Sequence, residues 1–303
     1  MSIAVVVVGS AVVDLTFRLQ NLPAEGESQI AHSRATFAGG KGANQAVAAA
    51  RFGAETAFVG AVGRDDFGRL LEGSLVDAGV DVTGLLSLDG ENTGMAAIGV
   101  DARGQNMIMV SLGVNDTLTR AQVQSAIDAS WRPKVVSSVL EVPDEAISAG
   151  LEWGRSHGAV TVLNAAPPRV VSSSLWAFVD VLVVNEHECR DLSGIDPVSP
   201  SLQEQALDVL QALGPQSVVL TLGDQGAVVR QGSHTVRLSA PAVQAVDTVG
   251  AGDCFVGVLC ALLAEGQDVV EASAIACRAA SLSVTRAGAQ ASMPRRSDIA
   301  MLV

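Results

Sequence analysis

Two short runs of small residues carry most of the chemistry this sequence offers. The first is Asp247-Thr248-Val249-Gly250-Ala251-Gly252-Asp253-Cys254-Phe255. Glycines permit close backbone approach, and Phe255, Val258, Leu259, Leu262 and Leu263 follow at helical spacing, so a buried helix begins here. Its free N–H groups and dipole form an anion site that suits a phosphate. Asp253 lies in the first turn, where a carboxylate either caps the helix or acts beside the bound anion. The second run, Gly39-Gly40-Lys41-Gly42-Ala43-Asn44-Gln45-Ala46, opens another helix. There the glycines let the backbone close on a hydroxylated ligand, and Asn44 offers a donor and an acceptor to vicinal hydroxyls. The plain alternative is a glycine turn with a solvated lysine. Neither GxxxxGK[ST] nor a GxGxxG after the first strand occurs, so phosphate chemistry must rest on another scaffold.

These runs need elements to position them. Short β-branched stretches at residues 4–8, 56–62, 135–140, 160–163, 179–184 and 217–222 read as buried strands. Residues 44–52, 67–78, 120–130, 144–157, 202–213 and 253–265 read as helices. Repeated strand–helix order implies right-handed crossovers and an α/β fold with a mostly parallel sheet covered on both faces. Residues 15–37 and 93–111 break that rhythm, with alternating polar and apolar residues punctuated by Gly and Pro. They are expected to form a small β lid over the carboxyl ends of the strands, where open α/β sheets place their ligands. The expectation is one domain over residues 1–303 with lid segments at about 15–37 and 93–111.

Composition narrows the class further. With 303 residues, 49% hydrophobic and 17% charged, and mean hydropathy +0.37, the chain can bury a large sheet between helices. A net charge of −13 and 3% aromatic residues argue against a nucleic-acid surface, which needs a basic stripe and usually stacking rings. An anionic substrate must then be met locally by Lys41, arginines, backbone amides or a metal. The apolar run at residues 3–8 has no basic flank before it and reaches Gly9 and Asp14 too soon for a signal peptide or a membrane span, so a cytoplasmic location is expected. Cys189, Cys254, Cys260 and Cys277 contain no CxxC pair, and the four histidines lack metal-ligand spacing, which predicts neither disulfides nor a zinc site. Cys254, although at a helix start, reads as a small buried residue.

Both runs resemble the two signatures of the ribokinase, or PfkB, family of carbohydrate kinases. The resemblance extends along nearly the whole chain. Gly9-Ser10 and Asp14, Val139-Leu140-Glu141-Val142-Pro143, Asn164-Ala165-Ala166-Pro167, Asn185-Glu186-His187-Glu188, Thr221-Leu222-Gly223-Asp224-Gln225-Gly226 and Thr285-Arg286-Ala287-Gly288-Ala289-Gln290 fall in family order. The resemblance implies a ribokinase-like three-layer sandwich with a β lid, and ATP-dependent phosphorylation of the 5-hydroxyl of D-ribose in sugar catabolism. It makes Asp253 the catalytic base and Gly250, Ala251 and Gly252 the anion hole. Val12, Asp14, Gly40, Lys41, Asn44 and Glu141 would face the sugar. Asn185, Thr221, Gly223, Gly226, Gly252 and Cys277 would lie along the ATP, with Glu188 serving the Mg2+ and phosphate region. A K+ ion beside the anion hole is implied at Asp247, Val249, Ser283, Arg286, Gly288 and Ser292, mainly through backbone carbonyls. A homodimer through the lid is also expected, because exposed lid edges can pair across a two-fold axis.

These roles agree with the chemistry. A sugar hydroxyl is a poor nucleophile, so a carboxylate within reach accepts its proton as the bond to phosphorus forms. Helix amides and magnesium meet the charge on the transferring group, and a closed lid keeps out competing water. One position departs from the family pattern: where ribokinases usually carry Asn, this sequence has Val12, an apolar residue of the kind seen in deoxyribokinase-like relatives. Valine cannot pair with a buried hydroxyl, which costs about 1–3 kcal/mol unless Ser10 or a water replaces the contact. Ribose and 2-deoxyribose therefore both stand as substrates, with another sugar such as fructose or a nucleoside as the wider alternative. A non-catalytic sugar or nucleotide sensor on the same fold is the alternative of another class.

Overall fold

The computed structural model describes residues 3–299; Met1, Ser2 and residues 300–303 of the expected domain lie outside the described residues. In chain order the elements are β1 (Val5–Val8), β2 (Val12–Arg18), β3 (Ser33–Gly39), α1 (Lys41–Arg51), β4 (Thr56–Gly63), α2 (Asp66–Asp77), β5 (Leu85–Leu88), β6 (Gly94–Val100) and β7 (Asn106–Ser111). They continue with α3 (Arg120–Ala126), β8 (Val135–Val139), α4 (Asp144–Ser156), β9 (Val160–Asn164), β10 (Val181–Asn185), α5 (Glu186–Ser193), α6 (Pro200–Ala212) and β11 (Ser217–Thr221). The chain closes with β12 (Ala227–Gln231), β13 (His234–Leu238), α7 (Ala251–Ala264), α8 (Val269–Ser283), α9 (Ala289–Ser292) and α10 (Arg296–Ile299).

Nine strands form the main sheet in the order β13-β12-β11-β10-β9-β8-β1-β4-β5. The run from β11 to β5 is parallel, and β12 and β13 add antiparallel to one edge. β1 reads Val-Val-Val-Val with all four residues buried, as a central strand covered on both faces requires. One apolar cluster packs α1, α2, α7 and α8 on one face. A second packs α3, α4, α5 and α6 on the other. This is the expected three-layer α/β sandwich. The helix bounds obey local chemistry: Asp65 caps α2 through the Gly68 amide, Thr119 and Gln122 close a capping box on α3, and Ser199 caps α6 ahead of Pro200. No helix among the described residues is long and apolar enough to cross a membrane.

A second sheet, ordered β3-β2-β6-β7, is the lid. It begins earlier and ends later than expected: β2 starts at Val12 and β3 runs to Gly39, because Val12 pairs with both Gly39 and Gly94. Val12 and Asp14 are thus lid residues. The lid is rooted by polar pairs. Asp65 accepts from the Thr93 amide at 2.9 Å and its hydroxyl at 2.6 Å, and buried Asn115 exchanges two hydrogen bonds with the Ala11 backbone at 2.9 and 3.0 Å. Other differences from the sequence reading have simple causes. α1 starts at Lys41, three residues early, since Gly40 turns the chain at φ +87° and a Cβ there would lie 2.6 Å from the Val12 nitrogen. α3 stops at Ala126 rather than 130, where Asp128 turns the chain by accepting from the Ser130 amide. α5, α8, β5, β12 and β13 were not anticipated.

Candidate active site

The site lies beyond the carboxyl ends of the parallel strands. Gly9 and Ser10 follow β1, Glu141 follows β8, Asn164 ends β9, Asn185 ends β10 and Thr221 ends β11. The amino end of α7 meets them there, with Gly250 as its N-cap at φ +78° and no side-chain cap. The Ala251 amide donates to the Thr248 carbonyl at 3.3 Å, and the Gly252 and Asp253 amides after it are left to a ligand.

Asp253 is buried, 6% exposed. Asn44 Nδ2 donates to its Oδ2 at 2.9 Å, and Gln45 Nε2 donates to its Oδ1 at 3.4 Å. Burial raises its pKa, Glu141 adds to the rise, and Lys41 and the two carboxamides oppose it. Lys41 is in turn held more strongly protonated, chiefly by the Asp253 charge. The sequence reading gave Asn44 both a donor and an acceptor for a ligand. In the fold its Nδ2 donates to Asp253, while its buried Oδ1 has no partner. That orphan acceptor fits a ligand hydroxyl, because a buried polar atom is normally paired.

Asp14, Lys41 and Glu141 gather at the same place. Glu141 Oε2 accepts from the Ser10 hydroxyl and from the Lys41 amide at 3.0 Å, tying the ends of β1 and β8 to the start of α1. Arg169 braces the Glu141 loop by donating to the Leu140 and Val142 carbonyls at 3.1 and 2.9 Å. The Asp14 pKa is raised to about 6, mostly by burial and then by Glu141 and Asp253. Val12 is buried, and its methyl group closes over Gly94 beside the Asn115 carboxamide.

Two cavities meet along the first turn of α7. The smaller, about 220 Å³, is lined by Lys41, Asn164, Asn185, Glu188, Thr221, Gly250, Ala251, Gly252 and Asp253 among others. The larger, about 420 Å³, is walled by Thr221, Gly223, Gly226, Pro241, Val243, Gly252, Phe255, Cys277 and Val284. Thr221, Thr248, Ala251 and Gly252 belong to both. A largely apolar slot opening onto a polar, amide-rich one suits a molecule with a flat base at one end and phosphates at the other. Asn185 and Glu188 form a closed capping box on α5, with three bonds of 2.8–2.9 Å between them. Burial raises the Glu188 pKa to about 7, against the Asn185 amide and Lys41.

The residues expected around a monovalent cation are brought together in part. Asp247 Oδ1 accepts from the Val249 amide at 3.0 Å and Oδ2 from the Gly288 amide at 2.9 Å, while the Val246 and Asp247 amides both donate to the Val284 carbonyl. Two loops are thus clasped beside Gly250. The Ser283 and Ser292 hydroxyls donate to carbonyls of their own helices, and the Arg286 guanidinium turns to Asp298. Among the described residues no three His, Cys, Asp or Glu side chains cluster as a metal cage.

The sequence reading assigned no role to Gln45, Asn164, Asn115 or Thr248, nor to the 240–245 segment that walls the larger cavity. The available signal was a polar residue where neighbours are apolar: Gln45 among alanines, and Asn164 after Val-Thr-Val-Leu.

Comparisons with known proteins agree with this geometry. The model for pfkB family carbohydrate kinases matches residues 2–296. A ribokinase of Staphylococcus aureus is 35% identical over 99% of both chains. A deoxyribokinase of Salmonella typhi is 32% identical over 96% of this chain and 95% of its own. The solved structure of Arabidopsis thaliana ribokinase complexed with ribose and ATP superposes with a TM-score of 0.91, at 32% identity, covering 100% of this chain and 99% of that one.

Proposed function

The chain belongs to the pfkB family of carbohydrate kinases, and we propose that it transfers the γ-phosphoryl group of ATP to the 5-hydroxyl of D-ribose. It is an ATP-dependent sugar kinase. The observation that carries the reading is buried Asp253, set where the amide-rich start of α7 meets Lys41 and the orphan Asn44 acceptor.

In this reading Asp14, Glu141 and the Asn44 carbonyl orient the sugar hydroxyls, and Gly40 and Lys41 close over them. Asp253 accepts the proton of the attacking hydroxyl. The amides of Gly250, Ala251 and Gly252 and the Lys41 ammonium take up charge on the transferring group. The nucleotide lies with its base between Val243, Phe255, Cys277 and Val284 and its phosphates past Thr221, Gly223, Gly226 and Asn185. Glu188 and Asn185, oxygen donors on the wall of the smaller cavity, suit a magnesium ion carried mostly by phosphates and water; when bound, it supplies charge neutralisation. The Asp247 carboxylate with carbonyls of Val249, Ser283, Arg286, Gly288 and Ser292 is a hard oxygen set that suits potassium, whose charge would support the neighbouring anion hole.

A second substrate, 2-deoxyribose, is favoured by one observation. Val12 is buried, its neighbour Asn115 spends its carboxamide on backbone groups, and Ser10 donates to Glu141. Few protein groups there are free to pair with a 2-hydroxyl. The outer lid strand β7 exposes Met107, Ile108, Met109 and Val110, which supports a homodimer through the lid. Four free, buried cysteines and ATP as substrate support a cytoplasmic location.

A coupled assay of ATP consumption across ribose, 2-deoxyribose, fructose and nucleosides tests the reading. Turnover with a pentose is expected, and Asp253→Asn should lower kcat by about 10²–10⁴ with ATP binding retained. No turnover with any pentose, or near-wild-type turnover in that variant, refutes it.

A further inference from the structure

Two carboxamides hold Asp253, and they do so differently. Asn44 donates to it through Nδ2 and keeps a buried oxygen without a partner. Gln45 is fully buried, and both of its N–H donors and its carbonyl oxygen are engaged by protein groups. Its Nε2 donates to Asp253 Oδ1 at 3.4 Å and to Asn164 Oδ1 at 3.0 Å, and its Oε1 accepts from the Ser137 hydroxyl at 3.4 Å. Asn164 donates onward to the Val183 carbonyl at 3.3 Å. One glutamine thereby ties α1 to β8, β9 and α7. Its neighbours Ala43, Ala46, Val47, Ala48 and Ala49 are all buried and apolar. Burying a carboxamide there carries a desolvation cost that a hydrophobic residue would avoid, and the cost is offset only through these bonds.

We propose that Gln45 is a positioning residue for phosphoryl transfer: by donating at once to Asp253 and Asn164 it fixes the plane of the Asp253 carboxyl group before the sugar arrives. The proposal rests on Asp253 being the general base. A preset carboxylate matters because a misplacement of about 1 Å in a reacting group can lower a rate about 100-fold. The same N–H donor favours the ionised carboxylate. The other charged or titratable groups around Asp253 are Lys41 on α1, Asp14 on β2, Glu141 after β8 and Glu188 on α5, with Cys254 beside it on α7. Of these only Lys41 acts in the same direction as Gln45.

The test is the pH profile of kcat with saturating ribose and magnesium ATP for the wild type, Gln45→Met and Gln45→Glu, with Asp253→Asn as a separate arm. Methionine keeps the volume and loses the donor. Activity requires ionised Asp253, so kcat falls as pH drops through its pKa, and losing a donor moves that acid limb upward. Gln45→Met is expected to lower kcat about 10-fold and shift the limb up by about one pH unit. Its sugar KM should change less than about twofold, because the residues proposed to touch the sugar are untouched. Gln45→Glu should move the limb further up, as two carboxyl groups then share one site. If Gln45→Met fails to fold, Ser137→Ala, which removes the hydroxyl that donates to Gln45 Oε1 and also pairs with Cys260, should move the limb in the same direction by a smaller amount. An unmoved limb in whichever of the two folds overturns the proposal. With Asp253→Asn inactive, that result removes the Gln45 role alone, whereas a fully active Asp253→Asn removes the base assignment and the proposal with it.

Discussion

Gly252→Ala should make this protein more stable and nearly inactive. Gly252 is the second residue of α7 and forms part of the wall of both cavities. A Cβ built there meets no atom within 4 Å. The folded state therefore accepts alanine without strain, and the substitution gains about 0.5–1 kcal/mol from the lower entropy of the unfolded chain. An unfolding entropy of about 2.1 cal/mol/K per residue over 303 residues converts that gain to a rise in Tm of about 1–2 °C. The same methyl group projects into the space proposed for the transferring phosphoryl group, and a displacement of about 1 Å there lowers kcat/KM about 100-fold. Gly257, one and a half turns along the helix, is the control. A Cβ there would lie 2.4 Å from the Gln45 carbonyl oxygen and 2.5 Å from the Ala48 Cβ, so Gly257→Ala should destabilise by about 1–3 kcal/mol. Thermal melting without ligand and coupled ATP consumption measure both quantities. A lower Tm in Gly252→Ala refutes the open-space argument, and unchanged kcat/KM refutes the placement of the phosphoryl group.

Two further outcomes are expected. Potassium should raise kcat relative to tetramethylammonium at matched ionic strength, since the Asp247 clasp places candidate carbonyls beside Gly250; equal rates in the two salts would remove the cation from the mechanism. If Val12 faces the 2-hydroxyl, the wild type should favour 2-deoxyribose over ribose by about 5- to 150-fold, the equivalent of about 1–3 kcal/mol, and Val12→Asn should shift the preference toward ribose. A wild type that prefers ribose, with Val12→Asn changing neither kcat/KM, would show that a water or another group serves that hydroxyl.

The sequence alone determined the layers and the two chemical runs, because both are local signals. An all-valine strand is buried wherever it pairs, and a glycine-rich turn followed by an apolar helix places free amides at its start whatever surrounds it. The resemblance added the order of the motifs along the sheet ends, and the pfkB family match is consistent with it. The lid boundary was not legible, because nothing in Ala11-Val12-Val13-Asp14 says that Val12 pairs with Gly39 and Gly94 rather than continuing a loop. Nor were β12 and β13, which add antiparallel to an edge and so lack the strand–helix rhythm that marked the other strands. Tertiary structure also decided how the acid is held. Asn44 and Gln45 are adjacent in sequence and 209 and 208 residues from Asp253. Asn164 and Ser137 reach the same carboxamide only because β8 and β9 lie side by side. A buried hydrogen-bond network is set by where strands end relative to one another, and that register is a property of the assembled sheet rather than of any segment within it.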